Sequence, residues 1–309
     1  MRQHQNRSLK ERLSNSAFCH FEQRGELPCI VVQHPGFTAS LLPQGAQLLS
    51  FCPSGDTSWI WLSPTAEYQQ GTSLRGGIPV CWPWFGNADK NSPEVQAAMA
   101  EGQPLPAHGF ARTNRWTLTR LYEAADRVEI DMSLPQSHHI QSVWQGDAEL
   151  TARWILTPTS MEMQLITTNT GQSTLAFSQA LHTYLPTTDI NATRIGGLSG
   201  HPYIDTMTGW QRKQQQGDVV FQGETDRIYL QQASPLRLVT PQRTLLIHSR
   251  GSRSTVVWIP WITKAQRLSQ FEDNAWQTML CIETANAADD WVNLAAGASH
   301  CLSLRLTVE

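Results

Sequence analysis

The chain has 309 residues, 40% of them hydrophobic, and a net charge of -3 from 23 basic and 26 acidic side chains. That apolar share fits a globular chain with a sizeable core, and excludes a disordered or fibrous one. Its lysines and arginines are scattered with no basic block, which argues against nucleic acid or an anionic membrane as partner.

β-Sandwiches commonly run to about 200–250 residues as one unit, and no Gly/Ser-rich or charged linker divides this chain. Residues 1–309 therefore read as a single domain, with 1–15 as a loose N-terminal segment. That segment is polar, without the apolar core of a signal peptide, and no later stretch approaches the ~18 apolar residues of a membrane helix. A soluble, cytoplasmic monomer is expected. Cys19, Cys29, Cys52, Cys81, Cys281 and Cys301 are dispersed and form no Cys-x-x-Cys. They read as buried reduced thiols, neither a disulfide framework nor a zinc site. Twelve tryptophans is a high count, and indole rings stack on sugar faces as readily as they fill cores.

In chain order, strand-like runs lie at Gln47–Phe51, Arg127–Leu134, Glu149–Leu156, Met161–Leu165, Leu175–Leu185, Thr244–His248, Thr255–Ile259, Met279–Glu283 and Leu302–Val308. Several alternate strictly. Val128, Ile130, Met132 and Leu134 interleave with Glu129, Asp131 and Ser133, the period-two mark of a half-buried antiparallel strand. Helical signal is sparse. Its best instance is Pro93–Ala100, with Ser92 as cap and Pro93 in the first turn. Many strands and few helices predict a mainly β fold, a large antiparallel β-sandwich. His138 and His139 are adjacent and would point to opposite faces of a strand, so they make no metal pair.

Four segments carry chemistry. Alternation along Leu175–Leu185 puts His182 on one face with Ala176, Ser178 and Ala180. Small residues leave room above them for a ligand, and histidine can give and take protons near neutrality. Glu283 ends the apolar run Met279–Ile282. Local pattern leaves open whether it is a general base tuned by burial or an ion-paired strand end. Ser73–Gly86, SLRGGIPVCWPWFG, sets Arg75 in a glycine turn where backbone can approach a ligand closely. Pro106–Trp116, PAHGFARTNRW, supplies His108 and Arg112. Two guanidinium groups from separate turns can clamp one phosphate.

These segments occur in a recognisable order. SLRGGIPVCWPWFG, AHGFART, FSQALHTYL, YID at Tyr203–Asp205, ETDRIY at Glu224–Tyr229, VVWIPW at Val256–Trp261 and MLCIETANA at Met279–Ala287 resemble the hexose-6-phosphate mutarotases of the aldose 1-epimerase superfamily. The resemblance implies a galactose-mutarotase-like sandwich with its site in a groove on one sheet and neither metal nor organic cofactor. It implies His182 and Glu283 as catalytic residues, Arg75 and Arg112 as phosphate ligands, and His108 and Asp205 as partners of sugar hydroxyls. Two departures bear on the substrate pocket: Ile259 stands where relatives often carry Asn, and Asp273–Trp276 replaces a more acidic stretch. In the expected mechanism Glu283 takes the proton of the anomeric hydroxyl and protonated His182 donates to the ring oxygen. Two rivals remain open. One is a glycoside hydrolase, with Asp205 as the second carboxylate; the other is a sugar-phosphate sensor without turnover.

Overall fold

A computed structural model of the chain describes residues 9–309, apart from 101, 103, 232 and 233 and the side chains of 138 and 139. Two large antiparallel sheets make the sandwich. The nine-stranded sheet runs Val219–Val220, Arg194–Gly196, Leu236–Val239, Thr244–Arg250, Ser299–Val308, Ser160–Asn169, Ala148–Thr157, Arg127–Ser133 and Thr117–Ala124. The eight-stranded sheet runs Gln211–Gln214, Pro202–Asp205, Thr225–Leu230, Ser254–Ile259, Met279–Asn286, Gln179–Leu181 and Val80–Cys81, with Tyr184–Pro186 also paired to Met279–Asn286. A four-stranded meander, Cys19–Arg24 to Gln47–Pro53, and the pair Leu175–Phe177 with Val292–Leu294 complete the strands. The mainly antiparallel β architecture expected from the alternation is what the chain forms.

Strand chemistry follows position. Along Ser160–Asn169 burial alternates, Met161, Met163 and Leu165 pointing inward while Glu162 and Gln164 stay half-buried. These meet Leu302, Leu304 and Leu306 and, from the other sheet, Leu181, Val257, Leu280 and Ile282 in one apolar cluster. Each buried side chain of this size contributes about 1.5–3 kcal/mol relative to exposure. Ser254–Ile259 and Met279–Asn286 are buried at every position. They are central strands with the core on one face and covering loops on the other, which is why each holds a continuous apolar stretch, Val256–Ile259 and Met279–Ile282.

Four expectations need adjustment. Leu175–Leu185 is not one strand but three pieces: Leu175–Phe177, Gln179–Leu181 and Tyr184–Pro186. The first pairs with a different partner; between the other two, His182 N–H donates to Pro79 O at 3.0 Å and Thr183 O accepts from Ile282 N–H at 3.2 Å. The helix at Pro93 stops at Gln96, with Ser92 Oγ accepting from Val95 N–H as its cap. Residues 138–143 are a short helix, not a strand. Of the segment expected to be loose, Leu9–Leu13 is a helical turn with Leu9 and Leu13 buried; residues 1–8 lie outside the described residues. The cysteines carry no disulfide; Cys19, Cys29, Cys81 and Cys281 are buried, but Cys301 is exposed. Most indoles serve the core: Trp82, Trp84, Trp116 and Trp154 are fully buried. Among the described residues no helix is long and apolar enough to cross a membrane.

Candidate active site

A cavity of about 490 Å³ opens on the face of the eight-stranded sheet turned away from the core. Strand register builds its floor. Ala180 pairs with Ala285 and Leu181 with Thr284; past the interruption Tyr184 pairs with Cys281 in unchanged register. That register sets His182 opposite Glu283, and directly opposed antiparallel residues have side chains close enough to interact. His182 Nε2 lies 3.4 Å from Glu283 Oε1. Val256 flanks Glu283 on the next strand, followed by Ile228. Two residues along, the row on the same face is Asp226, Trp258, Cys281 and Tyr184. Of these eight, all but Ile228 and Cys281 line the cavity.

Loops supply the walls. Arg75 precedes Gly76 and Gly77, both at positive φ. A Cβ on Gly76 would lie 2.7 Å from Leu62 Cα, and one on Gly77 2.3 Å from Leu48 O. The glycines therefore let the arginine turn pack on its own scaffold; close approach to a ligand is not their task. Arg75 is further fixed by Nε–H donating to Ser269 O and Nη1 donating to the Tyr184 hydroxyl, 3.4 and 3.3 Å. Gln270 braces the same turn, donating to Ser73 O and accepting from Arg75 N–H. Arg112 sits in the turn Ala111–Thr113 and donates from Nη2 to Ala107 O at 2.8 Å. His108, at φ 66°, accepts from Gly86 N–H through Nδ1 at 3.2 Å and meets the His182 ring edge-on at 5.7 Å.

Five of the six residues singled out in the sequence thus converge: His182, Glu283, Arg75, Arg112 and His108 all line the cavity. Asp205 does not. It stands in register with Arg227, Val257 and Ile282, the row facing the opposite side of the sheet, and its carboxylate pairs with Lys213 Nζ at 2.7 Å. Alternation forbids it the Glu283 face. It also cannot serve as the second carboxylate of a hydrolase in this cavity. The acid that does line the cavity beside Glu283 is Asp226, and Trp258, Tyr184 and Lys264 join it. Sequence reasoning misses these, although Asp226 lies in the ETDRIY block and Tyr184 follows His182 by two on the same strand face. Ile259 and Asp273–Trp276 are not part of the lining; Ile259 and Trp276 are buried, Trp276 against Trp261. No group of three or more His, Cys, Asp or Glu among the described residues is arranged to hold a metal ion.

Electrostatics set where the protons sit. Burial pushes the His182 imidazolium down to about 3, and the charges of Arg112 and Arg75 push the same way. Burial raises the Glu283 carboxyl well above its ordinary range, aided by nearby Asp226. The proton of the pair therefore belongs to Glu283, with His182 neutral. His108 is held neutral by burial and the same arginines. Two buried polar atoms, His182 Nδ1 and Glu283 Oε2, have no hydrogen-bond partner among the described residues. Buried polar atoms are rarely left so in folded proteins.

The raised Glu283 makes a stability prediction. Between the ordinary carboxyl value of 4.5 and its higher folded value, the folded chain holds a proton that the unfolded chain releases, so stability falls as pH rises through that window. Glu283→Gln removes this titration. Its Tm is expected to exceed that of the wild type by a few degrees at pH 7, the advantage vanishing below about pH 4.5. The low-pH cost of keeping His182 neutral is common to both proteins and cancels. A Gln variant that melts lower than wild type at pH 7 and equally at pH 4 contradicts the assignment.

The family model described as aldose 1-epimerase matches residues 28–307. A candidate glucose-6-phosphate 1-epimerase of Escherichia coli (strain K12) is 34% identical over 267 residues, 85% of each chain. One from the plant Cenchrus ciliaris is 28% identical over 258 residues, 80% of this chain and 74% of that one. The crystal structure of a candidate mutarotase from Salmonella typhimurium superposes with a TM-score of 0.84 at 29% identity, covering 94% of this chain and 93% of the other. The chain belongs to the aldose 1-epimerase family. It is an epimerase that interconverts the anomers of a sugar.

Proposed function

We propose that the chain interconverts the α and β anomers of a hexose 6-phosphate, glucose 6-phosphate foremost, with His182 and Glu283 as proton carriers and Arg75 and Arg112 as phosphate ligands. The observation that carries this reading is the buried pair at 3.4 Å, with an unsatisfied atom on each partner, in a cavity that two arginines also enter. The names borne by the relatives from Escherichia coli and Cenchrus ciliaris support the substrate.

Anomerisation removes a proton from the C1 hydroxyl and delivers one to the ring oxygen; the ring opens, the C1–C2 bond rotates, and the ring closes on the other face. Two groups within hydrogen-bond reach of the sugar suffice. Before binding, Glu283 holds the proton. Arrival of a phosphate dianion between Arg75 and Arg112 offsets the charges that depress His182, while a sugar hydroxyl donating to Glu283 stabilises its carboxylate. Both changes move the proton toward His182. Glu283 then acts as base at the C1 hydroxyl and His182 as acid at the ring oxygen, the roles exchanging when the ring closes.

Polarimetry or exchange NMR on freshly dissolved α-glucose 6-phosphate, with free glucose and galactose alongside, tests this directly. The expected result is acceleration over buffer with a clear preference for the phosphorylated sugar. Acceleration of free sugars alone would refute the substrate; tight binding without acceleration would refute catalysis.

A further inference from the structure

Tyr184 stands where the phosphate arm and the acid-base pair meet. Its ring stacks on His182 at 4.9 Å and 16° and on Trp61 at 5.8 Å and 22°, with the edge of Trp258 at 6.2 Å. Aromatic neighbours on three sides, at 3% exposure, leave the hydroxyl little freedom. That hydroxyl accepts from Arg75 Nη1 at 3.3 Å, yet its own hydrogen has no acceptor among the described residues. Burial drives the phenol upward from its ordinary range, so the hydrogen stays on and is available to donate. The side chain lines the cavity.

A phenol oxygen already receiving a hydrogen bond from a guanidinium is a stronger donor, because successive hydrogen bonds polarise one another. The acceptor best matched to it is an anionic oxygen beside that same guanidinium. We propose that the Tyr184 hydroxyl is a third ligand of the substrate's phosphate, acting with Arg75 and Arg112. This rests on the hexose-phosphate reading above. Because the same ring is stacked on His182, the phosphate is then anchored by the residue that holds the imidazole, and the phosphate end of the substrate is registered against the proton-transfer end.

The test uses the whole chain, with inorganic phosphate as probe, so that it does not depend on turnover. Phosphate affinity is measured by ³¹P NMR titration for wild type and Tyr184→Phe. Protein labelled at tyrosine Cζ is titrated in parallel. The resonance missing from Tyr184→Phe identifies Tyr184 among the five tyrosines. Loss of one hydrogen bond to a charged group is expected to weaken phosphate binding roughly tenfold, and the Tyr184 Cζ resonance is expected to shift as phosphate saturates. KM for glucose 6-phosphate should rise in parallel, and by far more than the KM for free glucose. If wild type binds phosphate while Tyr184→Phe binds it equally, or the resonance does not move at saturation, the proposal alone is overturned. Equal losses on phosphorylated and free sugar, with a lowered Tm, would mark a merely structural role and overturn it too. A wild type that does not bind phosphate overturns the hexose-phosphate reading and this proposal with it.

Discussion

Glu283→Gln and His182→Asn are each expected to lower kcat for anomerisation of glucose 6-phosphate about 10²- to 10⁴-fold, the usual worth of a positioned general acid or base. Both replacements are near-isosteric and keep a polar atom in place, so the register that opposes the two positions survives. Because the proton is shared by the pair, the losses should not add. Once one partner cannot exchange a proton the other has little left to do, so the double variant should fall close to the worse single one. KM should move much less than kcat, since Arg75 and Arg112 lie on other elements. Stopped-flow polarimetry on folded protein reads all three variants. A double variant whose loss is the product of the two single losses would mean that the residues act on separate steps, and wild-type rates in either single variant would dismiss that residue.

Part of this site is legible in the amino-acid sequence alone. The pocket face of Leu175–Leu185 can be read only in part from small side chains and a histidine on one side of a period-two pattern: Ala180 and His182 do share the face of Glu283, whereas Ala176 packs on the core from a separate strand pair. Glu283 stands out as a charge inside an apolar run, and the structure supplies the reason: its strand is buried on both faces. What alternation cannot supply is register. That His182 and Glu283 are opposed depends on which residue of one strand meets which residue of the other, and no local pattern encodes that pairing. The same gap misplaces Asp205 and conceals Asp226. Each sits on a strand whose facing is decided by its neighbours, Asp205 with Arg227 and Asp226 with Trp258.

The single strand expected at 175–185 fails for a related reason. Which partner each piece meets is not written in it: Leu175–Phe177 pairs with Val292–Leu294, the two later pieces pair with Met279–Asn286, and across the break at His182 and Thr183 the 77–83 segment still takes N–H bonds from His182 and Tyr184 in the register of Ala180 with Cys81. That break does not disturb the register on either side of it. The glycines of the Arg75 turn are legible as glycines with a purpose, but the purpose is backbone packing against residues 48 and 61–63, contacts remote in sequence.

Arg75→Ala and Arg112→Ala are expected to separate phosphorylated from free sugar. A charge-assisted contact to a phosphate contributes about 1.5–3 kcal/mol, so each variant should raise KM for glucose 6-phosphate roughly 10- to 150-fold, with much less effect on free glucose. A second consequence follows from the electrostatics. Arg112 and Arg75 both depress His182, Arg112 the more, so removing either lets the imidazole titrate closer to its ordinary value. The pH dependence of kcat/KM for free glucose, which reports the free enzyme, should then gain an inflection displaced upward from the wild-type value near 3, further in Arg112→Ala than in Arg75→Ala. The two readouts are independent: the KM ratio reports contact with the phosphate, and the inflection reports proximity to His182. Equal losses on both sugars would remove the phosphate clamp while leaving the acid-base pair standing. A normal KM ratio with a displaced inflection would instead assign the arginines to tuning the histidine, and the phosphate would have to be held by Tyr184 and other donors of the cavity.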